Sequence, residues 1–223
     1  MCLMLASLIN IIFPRTCALC NGYIGIKSIA ICHKCQNKID FIPGNHPLQK
    51  LWFNRLESRF PLNWYRCLFD LNQNNTGKEL ISHLKYSNLP QIGLYLGEQL
   101  GHSLSITRRN DFDAIIPVPL HPNKLRKRGY NQSEKIALGI AKICNKPVLN
   151  KAVKRLKNTS SQTKKDRWER ITSVENVFGK GSDAIPKRIL LVDDVLTTGN
   201  TVENVTKVLP KQTIIQVATL GIA

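Results

Sequence analysis

Near its carboxyl end the chain reads ILLVDDVLTTGNTV (189–202), an apolar run, two adjacent acids, then threonines around one glycine. Asp193 and Asp194 repel each other and call for a cation, a polyhydroxyl ligand or open solvent. In an open parallel sheet ligands bind beyond the carboxyl ends of strands, and these acids sit at such an end. The residues that follow, Thr197, Thr198, Gly199, Asn200 and Thr201, lead into a helix. Glycine lets the backbone fold closely round an anion, hydroxyls and successive N–H groups donate to it, and the helix start adds a favourable dipole. Acids beside a phosphate cradle suit a ribose 5-phosphate. The two carboxylates would accept hydrogen bonds from the ribose 2- and 3-hydroxyls while the loop grips the 5-phosphate.

A second constellation lies early in the chain. Cys17 and Cys20 form one CxxC and Cys32 and Cys35 another, with eleven residues between the pairs. Each pair makes a tight knuckle, and two knuckles complete the tetrahedral four-sulfur site that zinc favours. Four thiolates fill the shell, which makes the site structural and leaves His33, inside CHKC, facing solvent. The competing reading is a redox pair or disulfide, but a redox CxxC usually stands alone at a helix start. A module this small has too little core to fold unaided, so metal binding would supply its folding energy.

The elements that must position these groups follow from patterning. Residues 1–45 read as an N-terminal helix and zinc module, with IPGNHP (42–47) as its exit, and 46–223 as the larger domain. The opening MCLMLASLINIIFP has an apolar run from Cys2 to Phe13 with no basic residue before it. It predicts a short packed helix stopped by Pro14, rather than a signal peptide or a transmembrane segment. That fits a cytoplasmic location with reduced thiols. Strands are expected at 63–72, 112–120, KRILLVDD (187–194) and QTIIQVATL (212–220). Helices are expected at 77–104, broken before Pro90, at 132–144 and at 201–209. The alternation implies an α/β fold with a parallel sheet flanked by helices. Residues 157–172, polar and basic, have no periodicity and read as a mobile loop.

Composition narrows the partners. Of the 223 residues, 32 are Lys or Arg and 15 Asp or Glu, a net charge of +17, so the surface draws nucleic acid, phosphorylated small molecules or acidic lipid. Hydrophobic residues at 43% argue against wholesale disorder. Neither a Walker A motif nor G-x-G-x-x-G occurs, which weighs against nucleoside triphosphate and dinucleotide sites.

VDDVLTTGNT resembles the signature with which type I phosphoribosyltransferases bind 5-phosphoribosyl 1-pyrophosphate (PRPP). The wider set is more specific. The two CxxC pairs, LKY (84–86), IPVPLHPNKLRKRGYNQSE (116–134), SQTKKDRWERITSVENVF (161–178) and the acidic motif resemble, in this order, the ComF family. Its members join a zinc ribbon to a phosphoribosyltransferase domain and are associated with natural competence and the use of imported DNA. The variation within these motifs is mild, such as Tyr130 where Phe is commoner.

The resemblance implies PRPP contacts from Asp193, Asp194, Val195 and Leu196 through to Thr201. It implies pyrophosphate contacts from Val118, Pro119, Leu120, His121, Arg126 and Arg128, with Lys124 nearby. A loop over 160–170 would close on the anomeric carbon, its Lys164, Lys165 and Arg167 joining the two acids in catalysis by neutralising the leaving pyrophosphate. Mg2+ would accompany the PRPP. A hood over about 63–104 would specify the acceptor. Two functions follow. One is a competence or DNA-utilisation protein whose partners would include single-stranded DNA and competence proteins such as a DNA-uptake helicase. The alternative is an active phosphoribosyltransferase of nucleobase or nucleotide metabolism with no direct DNA contact. The basic stretch from His121 to Arg170 also suits single-stranded nucleic acid, with Tyr130 and Trp168 as candidate stacking rings, although core packing is the expected fate of either ring alone.

Overall fold

The computed structural model describes residues 15–25, 30–107, 111–156 and 177–223. The expected helix at 2–13 and the stretch holding Lys164, Lys165, Arg167 and Trp168 lie outside the described residues.

In chain order the elements are α1 (His33–Gln36), α2 (Pro47–Glu57), β1 (Trp64–Asp70), α3 (Asn75–Tyr86), α4 (Pro90–Ile106), β2 (Ala114–Pro117) and α5 (Pro122–Arg128). There follow α6 (Gln132–Cys144), β3 (Val153–Arg155), β4 (Phe178–Lys180), β5 (Arg188–Leu196), α7 (Asn200–Thr206) and β6 (Ile214–Ile222). Four strands make a parallel sheet in the order β1-β6-β5-β2. A parallel bridge from Ile115 to Val148 extends it beyond β2. β3 and β4 form a separate antiparallel ribbon.

Burial on both faces explains the unbroken apolar runs in the central strands. Leu190 and Val192 face one core, shared with α3, α4 and α6, whereas Ile189 and Leu191 face another, shared with α2, α7 and the ribbon. Helices α4 and α6 approach closely through glycines. A Cβ on Gly97 would lie 2.2 Å from the Ile136 carbonyl oxygen, and one on Gly139 would lie 2.2 Å from that of Leu94. No side chain fits there, so the start of α6 is held firmly against the sheet.

The topology creates an opening at one place. β2 crosses outward to residue 148, while β5 crosses the other way to β6, so the chain leaves in opposite directions from the junction between β2 and β5. The last rung between them runs from the Val118 amide to the Val192 carbonyl, 2.8 Å. Beyond it β5 is paired only with β6, with Asp193 opposite Thr219.

The expected helix at 132–144 and the break before Pro90 match the structure. β5 runs two residues past the acids, to Leu196, because its pairing with β6 continues. β2 is shorter than expected, ending between Pro117 and Pro119. Patterning missed α2, α5 and the ribbon. α5 has no apolar stripe, but its ends are well made: the His121 ring accepts from the Asn123 amide at 3.2 Å, Pro122 follows, and Gly129 closes it at φ +77°. Residues 63–104, expected as the hood, supply β1, α3 and α4 of the sheet and its cover.

Candidate functional site

The four cysteines converge. Their sulfurs all lie within 4.8 Å of one another, and those of Cys20 and Cys32 are 3.8 Å apart. A tetrahedron with zinc–sulfur bonds of ~2.3 Å has edges of about 3.8 Å, so the cluster fits the metal. Each knuckle is locally closed. The Cys17 amide donates to Gly22 at 2.8 Å, Asn21 takes φ +55°, and the Cys35 amide donates to Cys32 at 3.0 Å. Burial disfavours a Cys17 thiolate, but amides of Cys32, Leu19 and Cys20 outweigh it and lower its pKa to about 6. Burial, and then the neighbouring sulfurs, push Cys35 up to about 12. A divalent cation would relieve that conflict by holding all four as thiolates. His33 is exposed and stands outside the cluster, its Nδ1 3.4 Å from Asn37.

The metal module is braced on the sheet. Cys17, Ile24, Ile31 and Ile39 belong to the same apolar cluster as Leu68 and Phe69, and the Phe41 ring lies 5.3 Å from that of Phe69. The Ile42 amide donates to Leu68 at 2.9 Å, and buried Arg66 donates to the Ile42 carbonyl at 2.8 Å.

The second site lies where β2 leaves β5. Lys85, in the last turn of α3, meets Asp194 at 3.2 Å. Asp193 accepts from the Ser133 hydroxyl at 3.1 Å and from the Asp194 amide at 2.9 Å. Ser133 is fixed in the first turn of α6 by Asn131, which caps that helix and also donates to the Val118 carbonyl at 3.0 Å. Burial, then the Asp194 charge, raises the Asp193 pKa to about 7, against the pull of those hydrogen bonds and Lys85. Arg155, at the end of β3, also senses Asp193; burial lowers its pKa and the carboxylate opposes that. Asp193 therefore lies in a place that favours either a proton or an arriving cation.

The loop after β5 is shaped by Gly199 and by Arg59, which the sequence did not flag. Gly199 adopts φ +79°, and a Cβ there would meet Leu56 at 2.8 Å and the Arg59 guanidinium at 2.9 Å. Arg59 donates to the Thr198 carbonyl, to Asn200 Oδ1 at 2.6 Å and to the Glu203 carboxylate, clasping the loop from behind. Thr197 and Thr198 are exposed. Val195 and Leu196 are still in the strand, and Leu196 is buried in the core, leaving it only backbone atoms to offer.

The segment expected to hold pyrophosphate leaves the sheet beside the acids. Val118 is buried, whereas Pro119, Leu120 and His121 are partly open. Arg126 donates to Asn123 at 3.1 Å, and Arg128 donates to Gln132 at 2.9 Å. Tyr130 is no stacking platform: its ring is buried and its hydroxyl donates to the Leu84 carbonyl at 2.5 Å. The structure thus gathers Asp193, Asp194, the 197–201 loop and residues 118–121 at one end of the sheet. It adds Lys85, Ser133, Arg155 and Arg59. Of these, Lys85 had a sequence signal in LKY and Ser133 in RGYNQSE; Arg59 and Arg155 had none.

Comparison with known proteins bears on the metal module and on the chain as a whole. A family model described as a double zinc ribbon domain matches residues 8–48. Competence protein F of Haemophilus influenzae is 27% identical over 223 residues, covering 95% of this chain and 97% of that protein. Competence protein ComFC of Streptococcus pneumoniae is 31% identical over 145 residues, 65% of this chain and 61% of that one. DNA utilization protein YhgH of Salmonella typhi is 24% identical over 209 residues, 88% of this chain and 91% of that one. Among solved structures, a purine phosphoribosyltransferase from Pyrococcus horikoshii overlaps 58% of this chain and 83% of its own, at 18% identity and a TM-score of 0.35, a loose likeness.

Proposed function

Because the chain belongs to the ComF family, we propose that it serves in natural competence or the use of imported DNA, and that it does so with a pocket for PRPP at the end of β5. The observation that carries the pocket is the acid pair standing where β2 departs, with a glycine-pivoted threonine loop immediately after it.

In this reading the ribose diol donates to Asp193 and Asp194, displacing Lys85 from its ion pair or sharing it. The 5-phosphate accepts from amides and hydroxyls of residues 197–201, over a loop stiffened by Arg59. Pyrophosphate lies along 118–121, with Arg126 and Arg128 beside it. Mg2+ would accompany the PRPP and offset its charge. Lys164, Lys165 and Arg167, which the sequence nominates, would cover the anomeric carbon. If the bond to pyrophosphate breaks, positive charge develops on the ribose ring, and the acids below it stabilise that charge without a covalent intermediate. The zinc ribbon is structural and braces the sheet. Among the described residues no helix is long and apolar enough to cross a membrane, and we place the protein's work in the cytoplasm, with single-stranded DNA and a DNA-uptake helicase as partners.

PRPP titration with Mg2+ tests the pocket. Binding should saturate, and Asp193→Asn with Asp194→Asn should weaken it by at least about a hundredfold; unchanged affinity would remove the assignment. Pyrophosphate release from PRPP, assayed against a panel of bases and nucleotides with and without single-stranded DNA, separates an effector pocket from a transferase.

A further inference from the structure

The last turn of α3 and helix α5 enclose an open hollow of about 570 Å3. Among the described residues its lining holds Lys85, Lys124, Arg126, Lys127 and Arg128 and no acid. One ring stands in it. Tyr86 is 70% exposed, the guanidinium of Arg128 lies over it at 5.4 Å, and Gln132 holds that guanidinium in turn. A tyrosine braced by a cation on one side and open on the other is a platform for a flat, π-rich ligand.

We propose that this hollow binds single-stranded DNA, one base stacking on the open side of Tyr86 and the flanking phosphates meeting Lys124 and Lys127. The cations are spread along α5 and number more than one phosphate needs, which favours a strand over a single nucleotide. A second basic hollow, of about 580 Å3, contains Lys151, Lys154 and Lys180 and, among the described residues, no aromatic ring, so these residues can attract phosphates without gripping a base. Lys85 belongs to the wall of the first hollow and also pairs with Asp194, so a strand bound there lies next to the acid pair. The inference rests on the DNA-handling role proposed above and gives it a location; it does not need PRPP to bind.

The test is fluorescence anisotropy of a labelled oligothymidylate on the full zinc-loaded chain at low salt. Tyr86→Ala should weaken binding about tenfold, while Tyr86→Phe, which keeps the ring, should bind as the natural protein does. An oligonucleotide made abasic along its length should bind more weakly and be indifferent to Tyr86→Ala. Reversing Lys124 and Lys127 to Glu should weaken both ligands and flatten the salt dependence. Equal binding by Tyr86→Ala and the natural protein would overturn the proposal, leaving a phosphate-only surface. So would competition by free thymidine monophosphate at equal nucleotide concentration, which marks a mononucleotide pocket, or absence of oligonucleotide binding altogether. The two readings fail separately: Asp193→Asn with Asp194→Asn should lose PRPP and retain the oligonucleotide, and Tyr86→Ala should do the reverse.

Discussion

The zinc knuckles and the acidic end of β5 gather their groups by opposite means. All four sulfurs come from residues 17–35, and each pair is closed by hydrogen bonds within its own turn. The groups round Asp193 and Asp194 come from α3, α6, β3, β5 and the segment after α2. Local closure needs little from the rest of the chain and much from its metal. The strand-end site needs the sheet, its helices and their packing before it exists at all.

That contrast can be broken most forcefully through the metal. Chelating zinc, or replacing Cys32 by Ser, should remove on the order of 10 kcal/mol of local folding free energy. Hydrogen exchange should then collapse to fast rates over 15–45 and stay slow in β5 and β6. If the sheet melted at the same chelator concentration, the two regions would be a single folding unit, joined through the Phe41–Phe69 contact.

Next in size is the tertiary support of the strand-end site. Gly139→Ala drives a methyl into the Leu94 carbonyl and should cost about 3 kcal/mol, read as a fall in the urea midpoint. Because α6 carries Ser133, the variant should also weaken ribose phosphate binding, while zinc content stays at one ion per chain. An unaffected ligand affinity would show that the site tolerates movement of α6.

Arg59→Ala should cost about 2 kcal/mol by releasing three hydrogen bonds to the loop, with PRPP affinity falling and zinc content unchanged. Arg59→Lys should recover only part, since one ammonium cannot reproduce the guanidinium fork.

The gentlest probe is pH. An ordinary aspartate titrates near 4, whereas burial and Asp194 hold Asp193 at about 7. Between those values the folded chain keeps a proton that the unfolded chain has lost, so this group's contribution to stability declines as pH rises from about 4 to 7 and is level above. The two acids titrate as a pair, and Asp193→Asn should flatten that slope in denaturation curves taken across the range. A slope that persists in the variant would place its origin elsewhere. Bound Mg2+ and PRPP should flatten it too.

Legibility in the sequence followed the same division. The cysteine spacing and the VDDVLTTGNT stretch named their residues outright, since each is contiguous and its chemistry depends on residue type. The sheet strands were readable because burial on both faces forces apolar runs. α5 was not, for a short polar helix made by its caps leaves no apolar period, whereas α2 carries Leu48, Trp52 and Leu56 at four-residue spacing, a period the reading passed over. Tyr130 and Tyr86 illustrate the limit best. Both are tyrosines beside basic residues, yet Tyr130 is packed under α3 while Tyr86 stands in solvent with Arg128 over its ring. Composition cannot tell them apart, because exposure is set by the neighbours a folded chain supplies.

The sequence alone determined the four clustered cysteines, the α/β alternation, and the acid pair with the threonine loop after it, since each follows from residue types held close together along the chain. Only the tertiary structure decided that Lys85 faces Asp194, that Ser133 reaches Asp193 and that Arg59 backs the loop. Those contacts span tens to more than a hundred residues, and their geometry depends on where β2 parts from β5 and how closely glycines let α4 and α6 pack.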